Sequence, residues 1–94
     1  MRFVWNAGKR SENLRKHGID FADCPRIMRM PDSVTFLDER RIYDEERFRT
    51  FAWLEDQLIL IAHTEFDDEV RIISARKAKR HEQKTYIRYF GKRS

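Results

Sequence analysis

The 94-residue sequence predicts an α+β domain: two N-terminal helices, an antiparallel β-meander sheet of about four strands, and a C-terminal helix. Three observations carry this expectation. Residues 6–30 hold helix caps and apolar positions at helical spacing, residues 34–75 alternate or run apolar between short polar turns, and residues 77–90 return to helical periodicity. Hydrophobic residues at 40% and charged residues at 38%, with only 3 glycines and 2 prolines, exclude disordered, collagen-like and low-complexity classes. The length suits a single domain over residues 1–94 with one modest core, too small for an eight-fold β/α barrel or a two-domain nucleotide-binding enzyme.

Met1–Trp5 reads as a short strand with Phe3 and Trp5 on one face. Asn6 suits the N-cap of a helix through His17, because its side-chain oxygen can accept a bond from a free backbone N–H of the first turn. Gly18 stops that helix in the left-handed conformation, and Lys16 and His17 complement the negative end of its dipole. Asp20 caps a second helix over Phe21–Met30, whose apolar stripe is Phe21, Cys24, Ile27 and Met28. Pro25 lies just beyond its first turn and is expected to shorten or kink it; Pro31-Asp32 ends it.

From residue 34 the period changes. Val34–Leu37 is a strand, Asp38–Glu46 a charged loop with Tyr43 at its middle, and Arg47–Trp53 an alternating strand. After a tight turn at Glu55-Asp56, Leu58–Glu65 is almost continuously apolar, as expected at the centre of a sheet. Phe66–Glu69 turns into a last strand, Val70–Ala75, and hairpin spacing makes these three strands antiparallel neighbours. Lys77–Phe90 closes the chain as a helix with Ala78, Glu82, Tyr86 and Tyr89 on one face. The helices are expected to cover one face of the sheet and leave the other partly open.

No stretch approaches the ~20 apolar residues that span a bilayer; the longest apolar run, Leu58–Ala62, has five. The N-terminus lacks the apolar centre of a secretory signal, and Cys24 has no second cysteine to pair with. A reduced, cytoplasmic, membrane-free protein is expected. Net charge is +4, unevenly spread: residues 71–94 hold nine Lys/Arg against one acid, Glu82, whereas residues 1–70 hold eleven basic and fifteen acidic residues. That asymmetry points to a polyanionic partner, nucleic acid first, with a solvated basic helix as the plain alternative.

Several chemistries find no support. His17, His63 and His81 lack metal-ligand spacing, no glycine-rich phosphate loop exists, and no Gly-x-Ser-x-Gly elbow surrounds any serine. Cys24 belongs to an apolar stripe. No metal or cofactor is expected. What remains is Arg47, Arg49, His63, Glu65, Arg71 and Arg76 on or at the ends of three adjacent strands. Such a set suits RNA cleavage without metal, in which the ribose 2′-hydroxyl attacks its own phosphate. That reaction uses a base, an acid, and cations for the charge that builds on phosphorus, and planar guanidinium forks match phosphate oxygens two at a time. Surface ion pairs between arginine and glutamate compete with this reading.

The blocks Trp5-Asn6-x-x-Lys9-x-x-x-Asn13-Leu14-x-Lys16-His17-Gly18-Ile19-x-Phe21, Glu45-Glu46-Arg47-Phe48, His63-Thr64-Glu65 and Arg71-Ile72-Ile73-Ser74-Ala75-Arg76-Lys77-Ala78, followed by Glu82 and Tyr86, resemble the BrnT toxins. These form a branch of the type II toxins with a RelE-like ribonuclease fold. The resemblance implies a cytoplasmic bacterial or archaeal ribonuclease that blocks translation. It also implies a BrnA-type antitoxin whose ribbon-helix-helix domain binds operator DNA, the pair assembling as a heterotetramer that represses its own operon. Asn6 stands where that family commonly has Asp, and the turn Asp67-Asp68-Glu69 is unusually acidic.

The residues themselves suggest roles. Arg71 and Arg76 are the leading phosphate binders, joined by Arg47; ion pairing with Glu45, Glu46 or Glu82 is the alternative. His63 is the leading general acid or base because imidazole titrates near neutral pH, and Glu65, two residues away, could orient it or act as base. Lys16 and His17 form a second base–acid candidate pair against their dipole explanation. Lys9 and Asn13 share a helical stripe with Lys16 and could contact RNA, as could Lys77, Lys79 and Arg80 of the basic segment. Tyr86 could stack on a base, although its helix stripe also fits the core. A non-catalytic basic module that binds nucleic acid or protein is the competing class. The antitoxin is expected to cover the basic sheet, and an acidic antitoxin segment could dock on the basic helix.

Overall fold

The computed structural model describes residues 1–39 and 45–91. Tyr43 with its neighbours in the charged loop, and the basic residues Lys92 and Arg93, lie outside the described residues. The elements are β1 (Arg2–Val4), α1 (Ala7–His17), a 3-10 turn (Phe21–Asp23), α2 (Cys24–Met28), β2 (Val34–Leu37), β3 (Arg47–Leu54), β4 (Gln57–Phe66), β5 (Glu69–Lys77) and α3 (Arg80–Phe90). The class is α+β.

Local chemistry sets most boundaries. Asn6 Oδ1 accepts the Lys9 N–H at 3.0 Å, and Gly18, at φ 72°, returns its N–H to the Leu14 carbonyl. Asp67 and Asp68 both take positive φ, 51° and 68°, in the two-residue turn joining β4 to β5. Aspartate tolerates that region better than most residues, and its twist suits a hairpin.

The sheet differs from the expected four-stranded meander. It has five strands in the order β1-β5-β4-β3-β2. β2 to β5 form the antiparallel meander, but β1 joins its far edge parallel to β5, with Phe3 opposite Val70. The second helix is also shorter than expected. Pro25 has no N–H to return to the Phe21 carbonyl, so a 3-10 turn precedes a five-residue α2. At the other end, β5 runs on through Lys77, which pairs with Ile59, and Ala78 donates to the Leu58 carbonyl. The last helix therefore begins at Arg80, after Lys77 and Ala78.

Helices cover both faces, which corrects the one-sided expectation. Under α1, the 3-10 turn and α2, Ile59, Ile61, Val70, Ile72 and Ala75 pack against Ile19, Phe21, Cys24 and Ile27. Under α3, Phe51, Leu58 and Leu60 pack against Ala78 and Tyr86. β4 is apolar on both sides because it is the central strand of a sheet clad on both sides. Among the described residues, no helix covers the half of the α3 face beyond that helix.

An arginine-lined face of the sheet

Strand register assigns each candidate to a face. On β3, Ala52 and Leu54 point to the α1 side, so Arg47, Arg49, Phe51 and Trp53 point to the α3 side. Arg47 lies opposite Thr64, which lies opposite Arg71, so two arginines flank a threonine in one row across three strands. In the next row Arg49 lies opposite Ala62, which lies opposite Ser74. Strand spacing puts Arg47 and Arg71 about 10 Å apart at Cα, and Arg49 stands about 7 Å along β3 from Arg47. The floor between them is made of small side chains, Thr64, Ala62 and Ser74. It is a shallow cradle with guanidinium walls.

The arginines differ in what already holds them. Arg71 is the most exposed, its side chain 56% accessible, with Glu69 at 3.5 Å. Arg47 is half-buried with Glu45 at 3.8 Å. Arg49 is half-buried, and its Nε is buried without a hydrogen-bond partner among the described residues. Arg76 has the ion pair that competed with its catalytic reading: its fork grips Glu82 at 2.8 and 2.9 Å and also reaches the Lys77 carbonyl. Hydrogen bonds from Arg76 hold the Glu82 carboxyl down to about 2, against the cost of its burial. Glu82 also accepts the Lys79 N–H at 2.7 Å, so this pair fastens the start of α3 to β5. The geometry makes Arg76 a structural clamp.

His63 does not join the arginines. It lies opposite Phe48 on the α1 side of the sheet, stacked on that ring at 5.8 Å, and is fully buried. Its Nε2 is 2.7 Å from the Thr50 hydroxyl, which lies 2.8 Å from Thr35 Oγ1. Glu65, half-buried on the same face, approaches Nδ1 only to 3.5 Å, and Nδ1 has no hydrogen-bond partner among the described residues. Burial pushes the imidazole down to about 4, so it is neutral near pH 7. The histidine-plus-arginine centre expected from the sequence is therefore split between two faces, because positions 47 and 49 have one parity and 63 and 65 belong to the other.

Burial of His63 makes stability depend on pH. In the unfolded chain His63 titrates near 6.5, so it binds more protons than the folded chain does between about 6.5 and 4. Stability is complete above pH 6.5 and falls as pH drops toward 4, by on the order of 3 kcal/mol from this group. Urea unfolding at pH 7 and pH 4.5 should show a larger loss for the wild type than for His63→Gln. Equal losses would mean that the ring is not held neutral by burial.

The remaining candidates also sort by face. Asn13 is buried and bonds the Ala75 carbonyl (2.8 Å), the Ala75 N–H (3.1 Å) and the Ile19 carbonyl (3.0 Å), pinning α1 to β5. It is an anchor, not a free RNA contact. Lys9 and Lys16 are exposed and His17 half-buried on that same helix, which covers the face opposite the arginines. Tyr86 is buried; its hydroxyl donates to the Asp32 carbonyl at 2.7 Å and accepts from Trp53 Nε1 at 3.1 Å, which excludes base stacking. Lys77, Lys79 and Arg80 are exposed around the start of α3.

Two residues on the open side were not among the expected ones. Tyr89 is 66% exposed and packs edge-on against Phe36 at 4.9 Å; Phe36 lies opposite Arg49. That contact turns one flank of α3 toward the arginine rows, and the spacing i, i+4, i+8 puts His81, Thr85 and Tyr89 on it. Gln83 marks the other flank, beside Trp53 and Leu58. His81 is exposed in the first turn of α3, at the outward end of that row.

No curated protein matches this chain. A family model described as the ribonuclease toxin BrnT of type II toxin–antitoxin systems matches residues 5–82. That span takes in the arginine rows, the buried Asn13 and the Arg76–Glu82 clamp, and it covers most of the 94 residues: the chain belongs to the BrnT family of ribonuclease toxins.

Proposed function

We propose that the protein is a metal-independent endoribonuclease that binds RNA on the open half of the α3 face and cleaves it through the ribose 2′-hydroxyl. The observation that carries this reading is the pair of rows Arg47–Thr64–Arg71 and Arg49–Ala62–Ser74. Arg47, Arg49 and Arg71 reach over a floor of small side chains toward one phosphate and take up the charge that develops on it. His81 accepts the 2′-hydroxyl proton as the 2′-oxygen bonds to phosphorus. The bond from phosphorus to the 5′-oxygen breaks, and that oxygen leaves with a proton from solvent at the open side. The products are a 2′,3′-cyclic phosphate and a 5′-hydroxyl. Tyr89, at the edge of the cradle, offers a face on which a neighbouring base can stack. Lys77 and Lys79, at the end of β5 and the start of α3, add to the positive field that draws RNA in.

In the cell this activity cuts RNA in the cytoplasm and inhibits translation until a cognate antitoxin binds. We take that antitoxin to be of BrnA type, a ribbon-helix-helix protein that joins the toxin in a heterotetramer on operator DNA. Among the described residues no helix is long and apolar enough to cross a membrane.

The test is product analysis. Purified protein should cleave an oligoribonucleotide equally well with and without EDTA, leave a 2′,3′-cyclic phosphate, and fail on a substrate with a single 2′-deoxy sugar at the cut. A 5′-phosphate product, or cleavage of the deoxy substrate, would sink the mechanism. Binding that leaves RNA intact would sink the enzyme reading.

A further inference from the structure

The outer side of α3 carries a charge pattern that the fold does not use. Arg80, Lys84 and Arg88 recur at i, i+4 and i+8, so they stack in one row about 6 Å apart along the axis. All three are exposed, and none makes a hydrogen bond or ion pair with a described residue. Like charges at this spacing weaken a helix. The acid of this helix, Glu82, is turned inward onto Arg76. Beside the cationic row, on the flank away from Tyr89, Ile87 is 43% and Phe90 45% exposed. A nucleic-acid strand has a use for the cations but none for an isoleucine next to them. An amphipathic helix has a use for both.

We propose that this side of α3 docks an acidic amphipathic helix belonging to the antitoxin, its carboxylates facing Arg80, Lys84 and Arg88 and its apolar side chains seated on Ile87 and Phe90. The proposal rests on the reading of the chain as the toxin of a pair. It separates the two partners in space: RNA on the Tyr89 side of α3, the antitoxin anchor on the outer side. The unopposed cations also steer the acidic segment to its seat.

The probe is a synthetic amphipathic helix with glutamates at i, i+4 and i+8 and leucines at i+3 and i+7, followed by fluorescence anisotropy beside a labelled oligouridylate. The wild-type protein should bind the peptide with an affinity that falls as salt rises. Lys84→Glu and Ile87→Lys should each weaken the peptide about tenfold. Both positions are exposed, so circular dichroism and melting temperature should match the wild type. Ile87→Lys is the decisive variant because it adds a cation while removing the apolar seat. RNA affinity and cleavage should then stay within about twofold while peptide binding falls. Unchanged peptide affinity in Ile87→Lys, or no peptide binding by the wild type, would overturn the proposal. Peptide binding by a wild-type protein that does not cleave RNA would sustain the docking face and count against the nuclease.

Discussion

Replacing Arg49 and Arg71 together by alanine should lower RNA cleavage by more than about a hundredfold while leaving the protein folded. Loss of one preorganised donor to a developing anion typically costs ~3 kcal/mol in the barrier, which alone exceeds a factor of a hundred. The stability cost should be small. Arg71 is more than half exposed and only loosely paired with Glu69, and exposed pairs contribute ~1 kcal/mol or less. Arg49 has a buried Nε without a hydrogen-bond partner among the described residues, so truncating it removes that donor as well as a charge. The melting temperature should therefore stay within about 5 °C of the wild type. Single-turnover cleavage and a thermal melt on the same preparation are sufficient. A folded double variant that cleaves RNA at the wild-type rate would remove these arginines from the site.

The contrast between Arg49 and Arg76 separates what a local sequence pattern records from what only tertiary contacts decide. Element type was legible, because caps, glycines and hairpin turns are local: Asn6, Gly18 and the Asp67-Asp68 turn do in the structure what their chemistry predicts. The parallel docking of β1 on β5 was not legible. It joins three residues at one end of the chain to a strand some 67 positions away, and no local pattern records that pairing. Within the site, alternation correctly groups Arg47 with Arg49, since two residues apart on a strand means one face. It also assigns His63 and Glu65 to a common face, but only the β3–β4 register shows that this face is the opposite one. Ion pairing was the deeper obstacle. Arg71 and Arg76 look equivalent in sequence, both polar positions on one strand. The difference comes from Glu82, six residues beyond Arg76, which turns back across the strand-to-helix junction and occupies the fork. Asn13 misled for a similar reason: its stripe with Lys9 and Lys16 looks solvated until Ala75 is placed beneath it.

That clamp carries the second large expectation. Arg76→Ala should destabilise the fold by about 3 kcal/mol, because it strands a nearly fully buried carboxylate without its counter-charge. For a domain of this size that corresponds to a fall in melting temperature of roughly 10–20 °C. The sign with pH follows from Glu82, whose carboxyl is held down to about 2 in the fold and returns to about 4.5 when unfolded. The clamp's contribution is fully present above pH 4.5 and is lost as pH falls toward 2. In Arg76→Ala the abandoned carboxyl is driven up by burial instead. The gap between variant and wild type should therefore narrow on acidification from pH 7, as protonation relieves the stranded charge. An apolar pair, Arg76→Met with Glu82→Leu, should recover much of the stability, since neither group is then buried unpaired. It should recover cleavage too, because in this account Arg76 touches the helix and not the RNA. A Met/Leu variant that folds as well as the wild type but fails to cut RNA would return Arg76 to the catalytic set. Then the cradle would extend one row further along β5, under the first turn of α3.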